Sequence, residues 1–192
     1  MYIKRHIDKE LIAWKKAQKH KPLLLRGARQ VGKSSSVREL GKTFKNFVEI
    51  NFEKKEFDLV KDVFIRHSSP NLICNELSAM LGQKIVAGET LLFLDEVQSC
   101  IPAIEALRYF YEEMPDLHVI AAGSLLEFAL EQVPTFGVGR VRSLFMYPLS
   151  FDEFIRAMNF NTLADAVLQA KDKMDFPISL HQKCIEHLKI FL

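Results

Sequence analysis

Residues 23–34 read LLLRGARQVGKS. Three apolar residues, bounded by Pro22 before and Gly27 after, suit a short strand buried on both faces of a parallel sheet. The next eight residues, Gly27-Ala28-Arg29-Gln30-Val31-Gly32-Lys33-Ser34, fit the phosphate-loop pattern G-x-x-x-x-G-K-[ST] at every fixed position. Each residue type has a chemical reason. A loop that wraps phosphates with backbone N–H groups needs glycine where a side chain would block the approach. A helix opening near Lys33 aims its unpaired N–H groups and positive end at the anion. Lys33 supplies a point charge for the β and γ phosphates, and the Ser34 hydroxyl a ligand for Mg²⁺. Ser35 adjoins this cofactor-binding set, and Ser36 reads as a first-turn helix residue. A strand before the loop and a helix after it are the context this motif requires.

The second wholly apolar strand, Thr90 to Leu94, ends in Asp95-Glu96. Sites in parallel sheets form at the carboxyl ends of strands. Asp95 is therefore expected to hold Mg²⁺ together with Ser34, and Glu96 to activate the attacking water as general base. As a matter of family resemblance, a base at this position is similar to what ATPases of the AAA+ and RecA type carry and phosphate-loop kinases and GTPases normally do not.

Outward from these two strands, the pattern alternates. Helices are expected at 8–19, 33–44, 54–64, 70–81, 102–113, 124–132 and 150–158. Further strands are expected at 47–52, 117–122 and 142–147. Ser150 and Glu153 form a capping-box signature for the helix at 150–158. Segments 162–172 and 178–190 also read as helical. Strands alternating with helices give an α/β protein with a mostly parallel five-stranded sheet and helices on both faces.

Two further residues carry chemistry on this reading. Ser124 follows the strand 117–122 and fits a polar sensor near the γ-phosphate; it fits the N-cap of the next helix equally well. Arg140 lies in Val138-Gly139-Arg140-Val141-Arg142 and is a candidate arginine finger, in its own subunit or across an interface. Surface ion pairs are the plainer reading of Arg140 and Arg142.

Composition sets the remaining bounds. The 192 residues suit one domain with an appendage, 48% of them hydrophobic and 26% charged. A net charge of +2 does not indicate nucleic acid. Lys15, Lys16, Lys19 and Lys21 read as a solvated helix face. The three cysteines, Cys74, Cys100 and Cys184, are scattered and form no CxxC pair. No apolar run approaches the length of a membrane span, so membrane insertion is not expected and a cytoplasmic location is.

The stretches LLLRGARQVGKS, LLFLDEVQ, IAAGSLLEF and GVGRVRSLFMYPLSFDEF together resemble prokaryotic AAA+-like ATPases of the archaeal and bacterial family that pairs this domain with a C-terminal domain of unknown function. The glycine–arginine step and the Pro-Leu-Ser-Phe-x-Glu-Phe run are its more specific parts. The resemblance implies a P-loop NTPase sheet in the order 5-1-4-3-2, with strand 117–122 between the phosphate-loop strand and the acidic strand. It implies ATP as nucleotide, which the absence of a guanine signature also favours. Gln98 matches the family pattern, with an open function.

The expected function is ATP binding and Mg²⁺-dependent hydrolysis. The alternatives are a nucleotide-binding regulator with little turnover, or a phosphotransferase. The expected division is an ATP-binding domain over 1–158 and a helical extension over 159–192. Ile178, Leu180, Cys184, Ile185, Leu188 and Phe191 fall near helical spacing, so this last helix is expected to bury one face. It is expected to run on into a C-terminal domain in cis, and the resemblance leaves room for a homo-oligomer.

Overall fold

A computed structural model describes residues 2–124, 126–131, 133, 139–170 and 176–191. Five strands, β1 (Leu23–Arg26), β2 (Asn46–Asn51), β3 (Thr90–Asp95), β4 (His118–Ala122) and β5 (Arg142–Phe145), form one sheet in the order 2-3-4-1-5. Every pairing is parallel. This is the expected order, with β4 between β1 and β3.

The two-residue period of the strands builds two cores. Leu91 and Phe93 of β3 face the same way as Leu23, Leu25, Ile120 and Leu144. There they meet α1 (Ile7–Lys16) and α2 (Lys33–Gly41) through Leu11, Trp14, Val37 and Leu40. Leu92 and Leu94 face the other way, with Leu24, Ile50 and Val119. That side is covered by α3 (Asp58–Arg66), α4 (Pro70–Leu81), α5 (Ile101–Glu113) and α6 (Leu126–Glu131). All six residues of β3 are buried, which explains its unbroken apolar run. At about 1.5–3 kcal/mol per buried Leu or Phe side chain, this strand is a main source of the sheet's stability.

Several boundaries differ from the sequence expectation. Helix α1 stops at Lys16 rather than residue 19, because Ala17 is extended and the Trp14 indole N–H donates to Lys21 O at 2.7 Å. Helix α2 stops at Gly41 rather than residue 44. The Phe47 ring lies where a Cβ at Gly41 would stand, and Lys15 sits over the Phe44 ring while donating to Thr43 O. Residues 55–57 form a 3-10 turn, so α3 begins at Asp58. Strand β5 ends at Phe145 rather than residue 147. Its last sheet bond is Met146 N–H to Arg26 O, beyond which β1 turns away into the phosphate loop. In the helix expected over 124–132, Leu125 and Gln132 lie outside the described residues.

The C-terminal segment forms α7 (Phe151–Ala157), α8 (Asn161–Gln169) and α9 (Ile178–Phe191). Of the helix expected over 162–172, residues 171 and 172 lie outside the described residues. Ser150 caps α7, and Glu153 completes the capping box as expected. The three helices share a small core around Ile155, Leu163 and Ala164, and the division expected at residue 158 falls within that cluster. Only part of the apolar set on α9 is covered. Leu180 and Cys184 pack on this cluster and Phe191 on Phe151 and Phe154 of α7, whereas Ile178, Ile185 and Leu188 are exposed, contrary to expectation. Leu192 lies outside the described residues.

Candidate functional site

Strand β1 delivers the loop Gly27–Gly32 to the carboxyl edge of the sheet, and α2 leads away from it. Gly27 has φ +147°, and a Cβ there would stand 2.2 Å from Met146 O. Gly32 has φ +102° and is the N-cap of α2. Both motif glycines therefore occupy backbone geometries that side chains rarely adopt. Gln30 also takes a positive φ, of 61°. A cleft of about 450 Å³ opens at this loop, lined by Arg29, Gln30, Gly32, Lys33, Ser34 and Ser35 on one side and by Asn51, Asp95 and Glu96 on the other.

Within the cleft, Lys33 Nζ donates to Gly27 O at 2.8 Å and Ala28 O at 2.7 Å. Burial lowers the Lys33 pKa, against the pull of Glu96 and Asp95. The Ser34 hydroxyl donates to Asp95 Oδ2 at 2.9 Å. The same oxygen accepts a bond from Asn51 Nδ2 at 3.2 Å. Burial raises the Asp95 pKa, against the stabilising Ser34 hydrogen bond. Glu96 follows with a left-handed backbone, φ 49° and ψ 45°, and lines the same cleft.

The fold thus brings Lys33, Ser34, Asp95 and Glu96 together from distant parts of the chain. Ser124 follows β4, and its Oγ lies 3.5 Å from Nε of Arg29, which lines the cleft. The alternative role of Ser124, capping the helix that follows, involves Leu125, outside the described residues.

Arg140 is not brought to this cleft. Strand β5 pairs with β1 so that Arg142 lies opposite Leu23, the first residue of β1, while the phosphate loop follows the last. Arg140 precedes Arg142 and lies at the opposite edge of the sheet. There it is ion-paired with Glu112 near the end of α5. Arg142 pairs with Glu10 on α1. Val138, in the same stretch, lies outside the described residues.

A support behind the loop is illegible in the sequence. The Arg5 guanidinium donates to Val31 O at 2.7 Å and to Tyr147 O at 2.9 Å. It is also ion-paired with Glu153 at 3.0 Å, with both side chains under 10% exposed. Burial works to raise the Glu153 carboxyl, but hydrogen bonds from the Ser150 and His6 amides and from Arg5 hold it below its ordinary value. The capping glutamate of α7 therefore also anchors the back of the phosphate loop. A second cleft, of about 540 Å³, shares Arg29, Gln30, Gly32 and Ser35 with the first and extends to Tyr2, Ile3, Pro148 and Leu149. Ala28 and Val31 of the loop line it as well. Pro148 and Leu149 open the Pro-Leu-Ser-Phe-x-Glu-Phe run, whereas Tyr2 and Ile3 belong to no motif; they meet because the N-terminal segment and the turn after β5 cross beside the loop.

The residues present fit a Mg²⁺–nucleotide. The glycines hold the loop at positive φ, the lysine is at hand, and a hydroxyl and a carboxylate are already within hydrogen-bond distance where a hard cation would take oxygen ligands.

Comparison with known proteins agrees with this architecture. The sequence model of the family described as AAA domain matches residues 19–155. No curated protein matches the chain. Among solved structures, the Walker-type ATPase PABY2304 of Pyrococcus abyssi is similar, with a TM-score of 0.53 and 20% identity. The match covers 88% of this chain and 62% of that one, and it establishes the fold: a P-loop NTPase sheet with helices on both faces. Among the described residues, no helix is long and apolar enough to cross a membrane.

Proposed function

This chain belongs to the AAA domain family, and on that premise we propose that it binds ATP with Mg²⁺ at the Lys33–Asp95 cleft and hydrolyses it. One observation carries the reading. Ser34 and Asp95, 61 residues apart in sequence, meet at 2.9 Å at the mouth of a glycine-built phosphate loop, with Glu96 beside them. That set has the chemistry of a phosphoryl-transfer site.

In this mechanism the loop amides from Gly27 to Ser35 bind the phosphates. Lys33 exchanges the carbonyls of Gly27 and Ala28 for β and γ oxygens. Ser34 and Asp95 would hold Mg²⁺, which when bound would neutralise charge developing on the phosphates. Glu96 takes a proton from the attacking water. Arg29 and Ser124 line the γ end. The base occupies the second cleft, against Tyr2, Ile3, Pro148 and Leu149. A titration of ATP, ADP and GTP, with and without Mg²⁺, tests this assignment. ATP is expected to bind most tightly and to need Mg²⁺ for full affinity. GTP binding equal to ATP would refute the base assignment, and no Mg²⁺-dependent binding would refute the site. Binding without turnover would favour the regulator reading.

Arg140 has a role here only across an interface. Sited at the far edge of its own sheet, it reaches the γ-phosphate of a neighbouring copy. Arg140→Ala is then expected to slow hydrolysis about 10³-fold, and parental turnover per subunit to rise with protein concentration. Normal turnover in Arg140→Ala at several concentrations would remove it from the mechanism.

A further inference from the structure

Gln98 lies in the 3-10 turn Val97–Ser99, immediately beyond Glu96. Its Nε2 donates to Glu96 Oε2 at 2.7 Å and lies 3.5 Å from Glu53 Oε1. Its own Oε1 is buried and has no hydrogen-bond partner. A carboxamide placed only to knit loops together would normally have that acceptor paired. Here its orientation is set by what it donates. The amide is also confined. A Cβ at Gly123 would stand 2.2 Å from Gln98 Oε1, so only glycine lets the side chain lie there.

We propose that Gln98 is a positioning residue for Glu96. This rests on the hydrolytic reading above. The N–H bond fixes one carboxylate oxygen of Glu96. The other, Oε1, accepts no hydrogen bond from the described residues and is left for the proton of the attacking water. The charged groups around Glu96 are Asp95 at the strand end, Lys33 on α2, and, through Gln98, Glu53 and its partner Arg29 on the phosphate loop. Gln98 is the donor that touches the carboxylate itself, at a strained backbone position that would otherwise leave the side chain free to turn.

The test is steady-state hydrolysis and ATP affinity, measured on the full chain. Gln98→Ala is expected to lower kcat by about 10- to 100-fold, as for loss of a hydrogen bond to a charged group. ATP affinity is expected to stay within about twofold, since Gln98 does not line the phosphate cleft. Gln98→Glu keeps the shape and removes the donor, and is expected to fall as far. Gly123→Ala pushes the amide aside and should match these, and the double variant Gln98→Ala/Gly123→Ala should fall no further than either single one. Parental kcat in Gln98→Ala, with Glu96→Gln inactive, overturns this inference alone. So does a proportional loss of ATP affinity in both Gln98 variants. Absence of Glu96-dependent turnover in the parent overturns it together with the hydrolytic reading. Should Gly123→Ala misfold against Leu126, the two Gln98 variants still decide the matter.

Discussion

Glu96→Gln is expected to bind ATP as tightly as the parent and to hydrolyse it at least about 10²-fold more slowly. The substitution changes one atom and no contact of the phosphate loop. Gln98 can still donate to the oxygen of the new amide, so the local geometry is kept. What is lost is the capacity to accept a proton. The proposed phosphate contacts are those of Lys33, Ser34 and the loop amides, and neither the Lys33 nor the Ser34 side chain bonds to Glu96. The measurement is single-turnover hydrolysis beside equilibrium ATP binding. Turnover equal to the parent's would take Glu96 out of the mechanism. Weakened binding in step with turnover would make it a structural residue of the cleft.

Lys33→Ala is expected to weaken ATP binding by about 10²-fold or more while leaving the chain folded. A hydrogen bond to a charged group contributes about 1.5–3 kcal/mol, and two phosphate groups would share this ammonium. The fold should survive because Lys33 bonds only to Gly27 and Ala28 carbonyls of the loop, not to the apolar core. Those carbonyls border an open cleft and can turn to water once the ammonium is gone. The buried ammonium, with its lowered pKa, is itself held in place at some cost, so its removal does not strip the fold of a stabilising pair. Isothermal titration and a melting curve decide the case. Undiminished ATP affinity in a folded Lys33→Ala protein would sink the phosphate-site assignment.

Much of this molecule was legible in its chain. The three buried leucines of β1, the glycine spacing of the loop and the wholly apolar β3 ending in Asp95-Glu96 each state their environment directly. A strand covered on both faces must be apolar throughout, and the loop needs glycine where its φ is positive and Met146 O crowds Gly27. The capping box at Ser150 was readable for the same reason: it joins residues three apart, so local geometry suffices. The order of the strands came from resemblance, not from periodicity, since a two-residue repeat does not say which strand lies beside which.

The sequence by itself determined the element types and the residue types that the loop and the acidic strand present, because these depend on near neighbours and on burial. Only the tertiary structure decided who meets whom. Asn51 reaches Asp95 because β2 and β3 pair in register there. Arg5 backs Val31 because a buried carboxylate 148 residues away holds it. Gln98 caps Glu96 because Gly123, on another strand's exit, leaves it room. Arg140 ended at the far edge because β5 runs parallel to β1 with Arg142 opposite Leu23, so the residues before β5 lie where β1 begins. Helix α1 stopped early where Trp14 met Lys21, and α2 where Gly41 met Phe47 and Lys15 reached across to Thr43 and Phe44. Contacts made across many residues carry no signature in a single chain, because each partner's chemistry alone is compatible with many others.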